Sequence, residues 1–173
     1  MILENKKIKQ ALEYIKEEDP ATTQDTLNMC QIPAPSYNEE KKAEYIRERF
    51  REIGLRDVRI DAVGNVLGIW PGTGEGPSVM LAAHTDTVFP EGTDLTIRKE
   101  GNRYYCPGIN DDTHAVAEMI AVAKAMIHAD LHTKGDLIFC ANVCEEGLGD
   151  LRGIKHVFKD MADTEGRYDG FVS

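Results

Sequence analysis

The sequence predicts an α/β domain in which helices cover both faces of a central sheet. Short apolar runs of buried-strand length alternate with longer stretches of helical periodicity, most clearly in the second half of the chain. The chain has 173 residues, a length that suits one domain with a substantial core. Its 42% hydrophobic and 29% charged residues are typical of a soluble globular protein.

The first thirty residues are predicted to form two helices. An apolar stripe recurs at helical spacing through Ile8, Leu12 and Ile15, and the Asp19-Pro20 pair ends this first helix. The second helix is predicted over residues 22–30.

A third helix is predicted after the extended, proline-rich residues 32–35. Ser36 and Glu39 have the spacing of a capping box, and Gly54 stands where a helix often ends in a left-handed glycine. The apolar stripe of this helix consists of Ala43, Ile46, Phe50 and Ile53. Its many charged residues are interpreted as the solvated face.

The remaining elements follow from apolar and alternating patterns. Strands are predicted around residues 58–60, 66–70, 79–83, 95–97, 104–105, 137–140 and 171–172. The longest helix is predicted over residues 112–129, and another over residues 151–161.

Polar residues of a kind that binds metal follow the apolar run at residues 79–83. His84 and Asp86 stand at its carboxyl end, where open α/β sheets bind ligands. Residues i and i+2 of a strand face the same way, so the Asp86 carboxylate can reach the His84 ring. A carboxylate that holds one ring nitrogen leaves the other nitrogen free for a metal. The alternative is a polar turn at the end of a strand.

Two more acidic clusters stand in loops next to predicted strands or helices. PGINDD, residues 107–112, precedes the longest helix, and CEEGLGD, residues 144–150, follows the strand at residues 137–140. Each has a structural interpretation, as a helix cap or a solvated turn. Three loops expected near one edge of one sheet nevertheless carry HxD, DD and EE. Zinc accepts imidazole nitrogen and carboxylate oxygen, so the coincidence favours a metal site.

The motifs AAHTDTVFP, PGINDD and EEGLGDLRG, in this order, resemble those of the zinc-dependent exopeptidase and deacylase family. Peptidase T, acetylornithine deacetylase, aminoacylase and glutamate carboxypeptidase are among its members. PAPSYNEE and DAVGNVLG are similar to its N-terminal region, so the resemblance covers nearly the whole chain. It implies a three-layer α/β/α catalytic domain with a central mixed sheet.

The resemblance also implies the roles of five residues. His84, Asp111 and Glu146 would be metal ligands, with Asp111 bridging two zinc ions; cobalt or manganese would suit the same donors. Asp86 would orient His84, and Glu145 would be the general base. The family often has a cis peptide after the bridging aspartate, which is expected here between Asp111 and Asp112.

The sequence departs from the family pattern in two ways. The family usually has a lysine followed by small residues after the two aspartates, whereas Thr113, His114 and Ala115 stand here, so His114 is interpreted as structural or merely substituted. The chain also lacks two expected ligands, an acid and a distal histidine. We therefore expect residues 1–173 to be the N-terminal part of a catalytic domain, truncated at its C-terminus. The rest of that domain and a lid domain that mediates homodimer contacts would be absent.

The function implied is hydrolysis of a peptide or N-acyl amino acid amide bond through a metal-activated water, with peptidase preferred to deacetylase. The alternative is a non-catalytic or inactive truncated metal-binding fragment, because few ligands remain. A di-metal phosphatase or nuclease is disfavoured by the net charge of −10, which also argues against nucleic acid or membrane partners. The charged N-terminus is unlike a secretory signal, and the four cysteines form no CxxC pair. We expect a cytoplasmic protein with reduced thiols.

Overall fold

The computed structural model describes residues 2–163 and 168–173, which form five helices and seven strands in the predicted alternation. The helices are α1 (Lys6–Glu17), α2 (Asp19–Cys30), α3 (Glu40–Glu52), α4 (His114–His128) and α5 (Arg152–Asp163). The strands are β1 (Arg56–Ile60), β2 (Val66–Trp70), β3 (Val79–His84), β4 (Arg98–Glu100), β5 (Arg103–Tyr105), β6 (Leu137–Asn142) and β7 (Gly170–Val172).

Five strands form one mixed sheet in the order β1-β2-β6-β3-β7. The β1–β2 and β2–β6 pairs are antiparallel, whereas β3 is parallel to both β6 and β7. In the β3–β6 pair, His84 is level with Asn142. The chain segments that follow these two strands therefore leave the sheet at the same edge, although they are far apart in the sequence. Strands β4 and β5 form a separate hairpin.

Helices cover both faces of this sheet, which confirms the predicted three-layer arrangement with a central mixed sheet. On one face, α2, α3 and α4 bury a large apolar cluster that includes Ile46, Phe50, Ile120 and Phe139. On the other face, α5 packs Val157 against a smaller cluster. Side chains that alternate along β6 belong to the two clusters in turn, as the period of a strand requires.

The structure corrects three details of the predicted elements. The second helix begins at Asp19 rather than at residue 22, with Pro20 in its first turn, where the missing N–H costs no helical bond. Residues 95–97 are not a strand, because the β4–β5 hairpin begins at Arg98. Helix α4 begins at His114 rather than at residue 112, since Asp111 and Asp112 have non-helical backbone angles.

The predicted capping box is also wrong. Helix α3 begins at Glu40, and its N-terminus has no side-chain capping hydrogen bond. The hydroxyl of Ser36 and the carboxylate of Glu39 form hydrogen bonds to residues of other loops instead. At the other end of the helix the prediction is confirmed, since Gly54 has a φ of 91° directly after the C-cap residue Ile53.

Helices of sufficient length and apolarity to cross a membrane are absent from the described part of the chain. The four cysteines are free thiols.

Candidate metal centre

His84 ends β3, and its ring is held so that one nitrogen faces the neighbouring loops. Nδ1 lies 3.0 Å from the backbone carbonyl oxygen of Asp86 and 3.5 Å from its carboxylate. The predicted contact with the carboxylate is therefore present, but the carbonyl is the closer acceptor. A carbonyl can only accept, so this contact favours a proton on Nδ1 and directs Nε2 toward the acidic loops.

Asp86 is fully buried and joins two loops. Its carboxylate accepts hydrogen bonds from the Ser36 hydroxyl at 2.6 Å and from the backbone N–H groups of Glu145 and Glu146 at 2.9 and 3.1 Å. Burial disfavours the charged form, but the hydrogen bonds from His84, from Ser36 and from the two backbone groups lower the pKa of Asp86 to about 2. Asp86 therefore fixes the backbone that carries both glutamates.

The loop before α4 contains the expected cis peptide bond between Asp111 and Asp112, which confirms that prediction. The Asp111 side chain is 74% exposed, and its carboxylate lies 3.0 Å from His84 Nε2. Asp112 turns the other way and accepts a hydrogen bond from the backbone N–H of His84 at 3.1 Å. Burial raises the pKa of the Asp112 carboxyl group.

Gly108 allows this loop to pass close to the segment that follows β3. Its φ is 74°, in the left-handed region, and a Cβ atom there would lie 2.6 Å from Thr87 Cγ2. A side chain at this position would therefore clash with Thr87 and strain the backbone, so one of the two segments would have to shift.

Glu145 and Glu146 follow β6 and complete the cluster. One ligand atom each from His84, Glu145 and Glu146 lies within 4.8 Å of the others, and His84 Nε2 is 3.9 Å from Glu145 Oε2. Burial and the charge of Asp111 raise the pKa of Glu146. Asp111 joins this group through its contact with His84. The structure thus brings together all five residues singled out in the sequence.

Carboxylate groups crowd around the single imidazole. Burial opposes a charge on the His84 ring, but Asp86, Asp112 and Asp111 outweigh that effect and raise the pKa of His84 to about 9. Such a concentration of negative charge around one imidazole suits a divalent cation, which would neutralise it. Mixed nitrogen and oxygen donors are compatible with zinc, cobalt and manganese.

The other histidines have partners away from this cluster. His114 lies 3.2 Å from the Thr26 hydroxyl and 3.2 Å from the Glu118 carboxylate, so its interpretation as a structural residue is supported. His128 is exposed and stacks on Tyr14. His132 and His156 are half-buried. Cys106, beside Pro107, is also half-buried.

Sequence reasoning missed three residues that contact these loops. Lys42 was assigned to a solvated helix face, yet it is fully buried and donates to Thr85 and Thr113. Ser36 and Glu39 were interpreted as helix caps. The relevant signal for Ser36 and Glu39 was their position in PAPSYNEE, residues 33–40, a motif that resembles the family pattern; Lys42 lies two residues beyond it.

Comparisons with known proteins identify relatives of this chain. A Pyrococcus abyssi protein named as a LysW-lysine/LysW-ornithine hydrolase is 34% identical over 120 residues, 69% of this chain and 32% of that protein. A succinyl-diaminopimelate desuccinylase of Corynebacterium glutamicum is 30% identical over 132 residues, 76% of this chain and 35% of that protein. The chain thus spans about a third of the length of these relatives.

Solved structures share the fold at low sequence identity. Human carnosine dipeptidase 1 has a TM-score of 0.78 at 13% identity, covering 94% of this chain and 40% of the other. The YxeP protein of Bacillus subtilis, described as a dinuclear metal-binding peptidase of the M20 family, has a TM-score of 0.56 at 15% identity, covering 81% and 40%. The model of peptidase family M20/M25/M40 matches residues 80–173, which is more than half of the sequence and includes His84, Asp111 and Glu145. The chain therefore belongs to peptidase family M20/M25/M40.

Proposed function

We propose that this chain is part of a hydrolase that uses two divalent metal ions, and that it cleaves a peptide or N-acyl amino acid amide bond. The observation that carries the proposal is the convergence of His84, Asp111, Glu145 and Glu146 at the carboxyl ends of β3 and β6. Family membership and the dinuclear metal-binding description of YxeP support it.

The donors present fit such a metal site. His84 offers Nε2, while its Nδ1 is held by Asp86. Glu146 and Asp111 offer carboxylate oxygens near the His84 ring, and we assign to Asp111 the bridging position between the two ions. We assign these three residues as ligands and zinc as the metal, with cobalt or manganese as alternatives. When bound, the metal ions polarise the scissile carbonyl and lower the pKa of water.

Glu145 is the proposed general base. Its side chain is 39% exposed, so it is accessible to water and substrate, and its carboxylate lies close to His84 Nε2. The backbone N–H of Glu145 is fixed by Asp86, which limits the positions available to the side chain. Glu145 would accept a proton from the attacking water and return it to the leaving amine.

A peptide is the first choice of substrate and an N-acyl amino acid the second. The dipeptidase neighbour supports the former, and the relatives named as a hydrolase and a desuccinylase support the latter. The GLGDLRG segment favours the peptidase by its similarity to peptidase T-like sequences. Nucleic acid and membrane surfaces do not suit the net charge of −10.

The remaining parts of the complete enzyme are also proposals. Residues 1–173 would be the N-terminal part of the catalytic domain, with further ligands and a lid domain supplied by sequence outside these residues. That lid would make homodimer contacts, and the protein would act in the cytoplasm. On its own, the 173-residue chain offers too few ligands for two ions, so we expect weak metal binding and negligible hydrolysis from it.

The role of Glu145 is tested by Glu145→Gln in the full-length protein. This substitution keeps the shape of the side chain but removes its basicity. We expect turnover of peptides or N-acyl amino acids to fall by roughly 10²–10⁴-fold while metal content stays close to wild type. Turnover and metal content per chain are measured on the same preparation.

The matched control is Glu75→Gln in the exposed loop between β2 and β3, which should change neither quantity. Wild-type turnover by Glu145→Gln would rule out the assignment of the general base. Assaying a dipeptide panel and an N-acyl amino acid panel side by side separates the two substrate classes.

A further inference from the structure

Three side chains at the start of α3 contact all three loops that carry the candidate ligands. We call residues 36–42 the anchor segment. Ser36 donates to Asp86 in the loop after β3, and Glu39 accepts a hydrogen bond from the backbone N–H of Cys144 at 3.0 Å in the loop after β6. Lys42, in the first turn of α3, is the third of these side chains.

Lys42 joins two of these loops directly. Its ammonium group donates to the backbone carbonyl of Thr85, between His84 and Asp86, at 3.2 Å. It also donates to the hydroxyl of Thr113, directly after the Asp111-Asp112 pair, at 3.2 Å. A single cation therefore connects the loop that carries His84 to the loop that carries Asp111.

The burial of Lys42 is difficult to explain by stability. Only 2% of the residue is exposed, and burial lowers the pKa of its ammonium group. Both of its hydrogen bonds go to neutral oxygens. Taking a charged group out of water costs free energy of hydration, which two hydrogen bonds to neutral oxygens offset only in part. A role in setting the relative position of the two loops accounts for a charged group here.

We propose that Lys42 is a positioning residue that sets the metal affinity of the site. Together with Ser36 and Glu39, it fixes the distance between the loop at residues 84–87 and the loop at residues 108–113. The inference rests on the proposed function, since it assumes that His84 and Asp111 bind metal. It assigns a role to a segment that lies entirely before residues 80–173, which the family model matches.

The first test compares Lys42→Met with Lys41→Met in the full-length protein. Lys41 is the neighbouring lysine on α3 and is exposed, so it is a matched control. We measure the dissociation constant of Co²⁺ by competition with a chelator, the visible absorption spectrum of the Co²⁺ form, and the melting temperature of the metal-free protein.

Lys42→Met should weaken Co²⁺ binding by roughly 10–100-fold, as is typical when a residue that orients a ligand is lost. It should also change the Co²⁺ spectrum, and the melting temperature of the metal-free protein measures separately what the loss of the two buried hydrogen bonds costs in stability. A purely structural role predicts a lower melting temperature with unchanged Co²⁺ affinity and an unchanged spectrum. Wild-type Co²⁺ affinity and spectrum in folded Lys42→Met would overturn the proposal.

The second test changes the acceptor of the Lys42 hydrogen bond and decides the outcome if Lys42→Met fails to fold. Thr113→Val keeps the shape of the side chain but removes the hydroxyl, whereas Thr113→Ser keeps the hydroxyl. We expect weaker Co²⁺ binding for Thr113→Val and near wild-type binding for Thr113→Ser. Equal affinities in these two variants would overturn the proposal.

These measurements distinguish failure of the inference from failure of the proposed function. A wild-type protein that binds no Co²⁺, Zn²⁺ or Mn²⁺ would overturn the proposed function and the inference with it. A wild-type protein that binds metal, together with variants that bind it equally well, would overturn the inference alone.

Discussion

Two histidines at opposite ends of the sheet contact the same kinds of group through their ring nitrogens. His84 ends β3, and His132 precedes β6, the neighbouring parallel strand. In both rings Nδ1 lies near a backbone carbonyl oxygen, at 3.0 and 2.7 Å respectively. In both, Nε2 lies near the carboxylate of an exposed aspartate, Asp111 at 3.0 Å and Asp130 at 3.2 Å. The hydrogen bonds of the ring alone do not distinguish them.

The difference lies in what surrounds each pair. The carboxylates of Asp86 and Glu145 also lie near His84, and its ring has no stacking partner among the described residues. His132 is stacked on Trp70, with ring centroids 4.4 Å apart and an interplanar angle of 19°. A histidine and an aspartate in contact are therefore insufficient evidence for a metal site. Further acidic side chains from other loops are what make the His84 end suitable for a cation.

The largest expected effect separates the two histidines by metal affinity. His84→Ala removes the only imidazole among the ligands proposed within residues 1–173 and should lower Zn²⁺ affinity by more than the roughly 10–100-fold typical of an outer partner. His132→Ala should leave the affinity unchanged. Competition with a chelator measures both in the full-length protein. Equal affinity in the two variants would show that His84 is not a metal ligand.

A smaller effect, on stability and metal binding, is expected from the substitution of Asp86, which contacts the His84 ring, and none from that of Asp130, which contacts the His132 ring. Asp86→Asn replaces one carboxylate oxygen by an amide NH₂ group. That oxygen accepts a hydrogen bond from a backbone N–H of Glu145 or Glu146, so this buried N–H group would lose its acceptor. We expect a loss of about 1–3 kcal/mol in the free energy of unfolding, together with weaker metal binding. Denaturant titration of the metal-free protein measures the first quantity. Asp130→Asn, at an exposed position, should change neither, and a comparable loss there would contradict the comparison.

The smallest effect concerns the role of His132 itself. His132→Ala removes the stack on Trp70, which should cost about 0.5–1.5 kcal/mol of stability beyond the buried area that is lost. The melting temperature of the metal-free protein should fall by a few degrees. Thermal unfolding, monitored by circular dichroism, measures this change. The control is His128→Ala, which also removes a stacked ring, that on Tyr14, but at an exposed position. A change in metal affinity caused by His132→Ala would mean that the two ends of the sheet are coupled.

The sequence predicted the central elements of the fold because their signals are local. The apolar runs that become β3 and β6 are of buried-strand length, and the stripe of α4 recurs at helical spacing. The strand order was not predictable in this way, since β2 pairs with β6, which follows in the chain only after β3, the β4–β5 hairpin and α4. The strand predicted at residues 95–97 was placed three residues before β4, whereas the one predicted at residues 104–105 lies within β5, because weak apolar alternation locates the ends of short strands poorly.

The candidate site was predicted in part for the same reason. His84, Asp111, Glu145 and Glu146 stand in short motifs next to predicted strands or helices, and the resemblance orders them. The role of Lys42 depends on contacts with residues 43 and 71 positions away, Thr85 and Thr113. A lysine on a helix rich in charged residues is normally solvated, so periodicity alone could not identify it as buried.

The parallel pairing of β3 with β6 has a consequence for refolding. His84 is level with Asn142, three residues before Glu145, so the distance between the ligands depends on strand register. A slip of one residue would move one strand by about 3.3 Å and reverse its two faces. A displacement of this size would separate the ligands on the two strands. Recovery of metal affinity after dilution from denaturant would therefore report when β3 and β6 reach their native register.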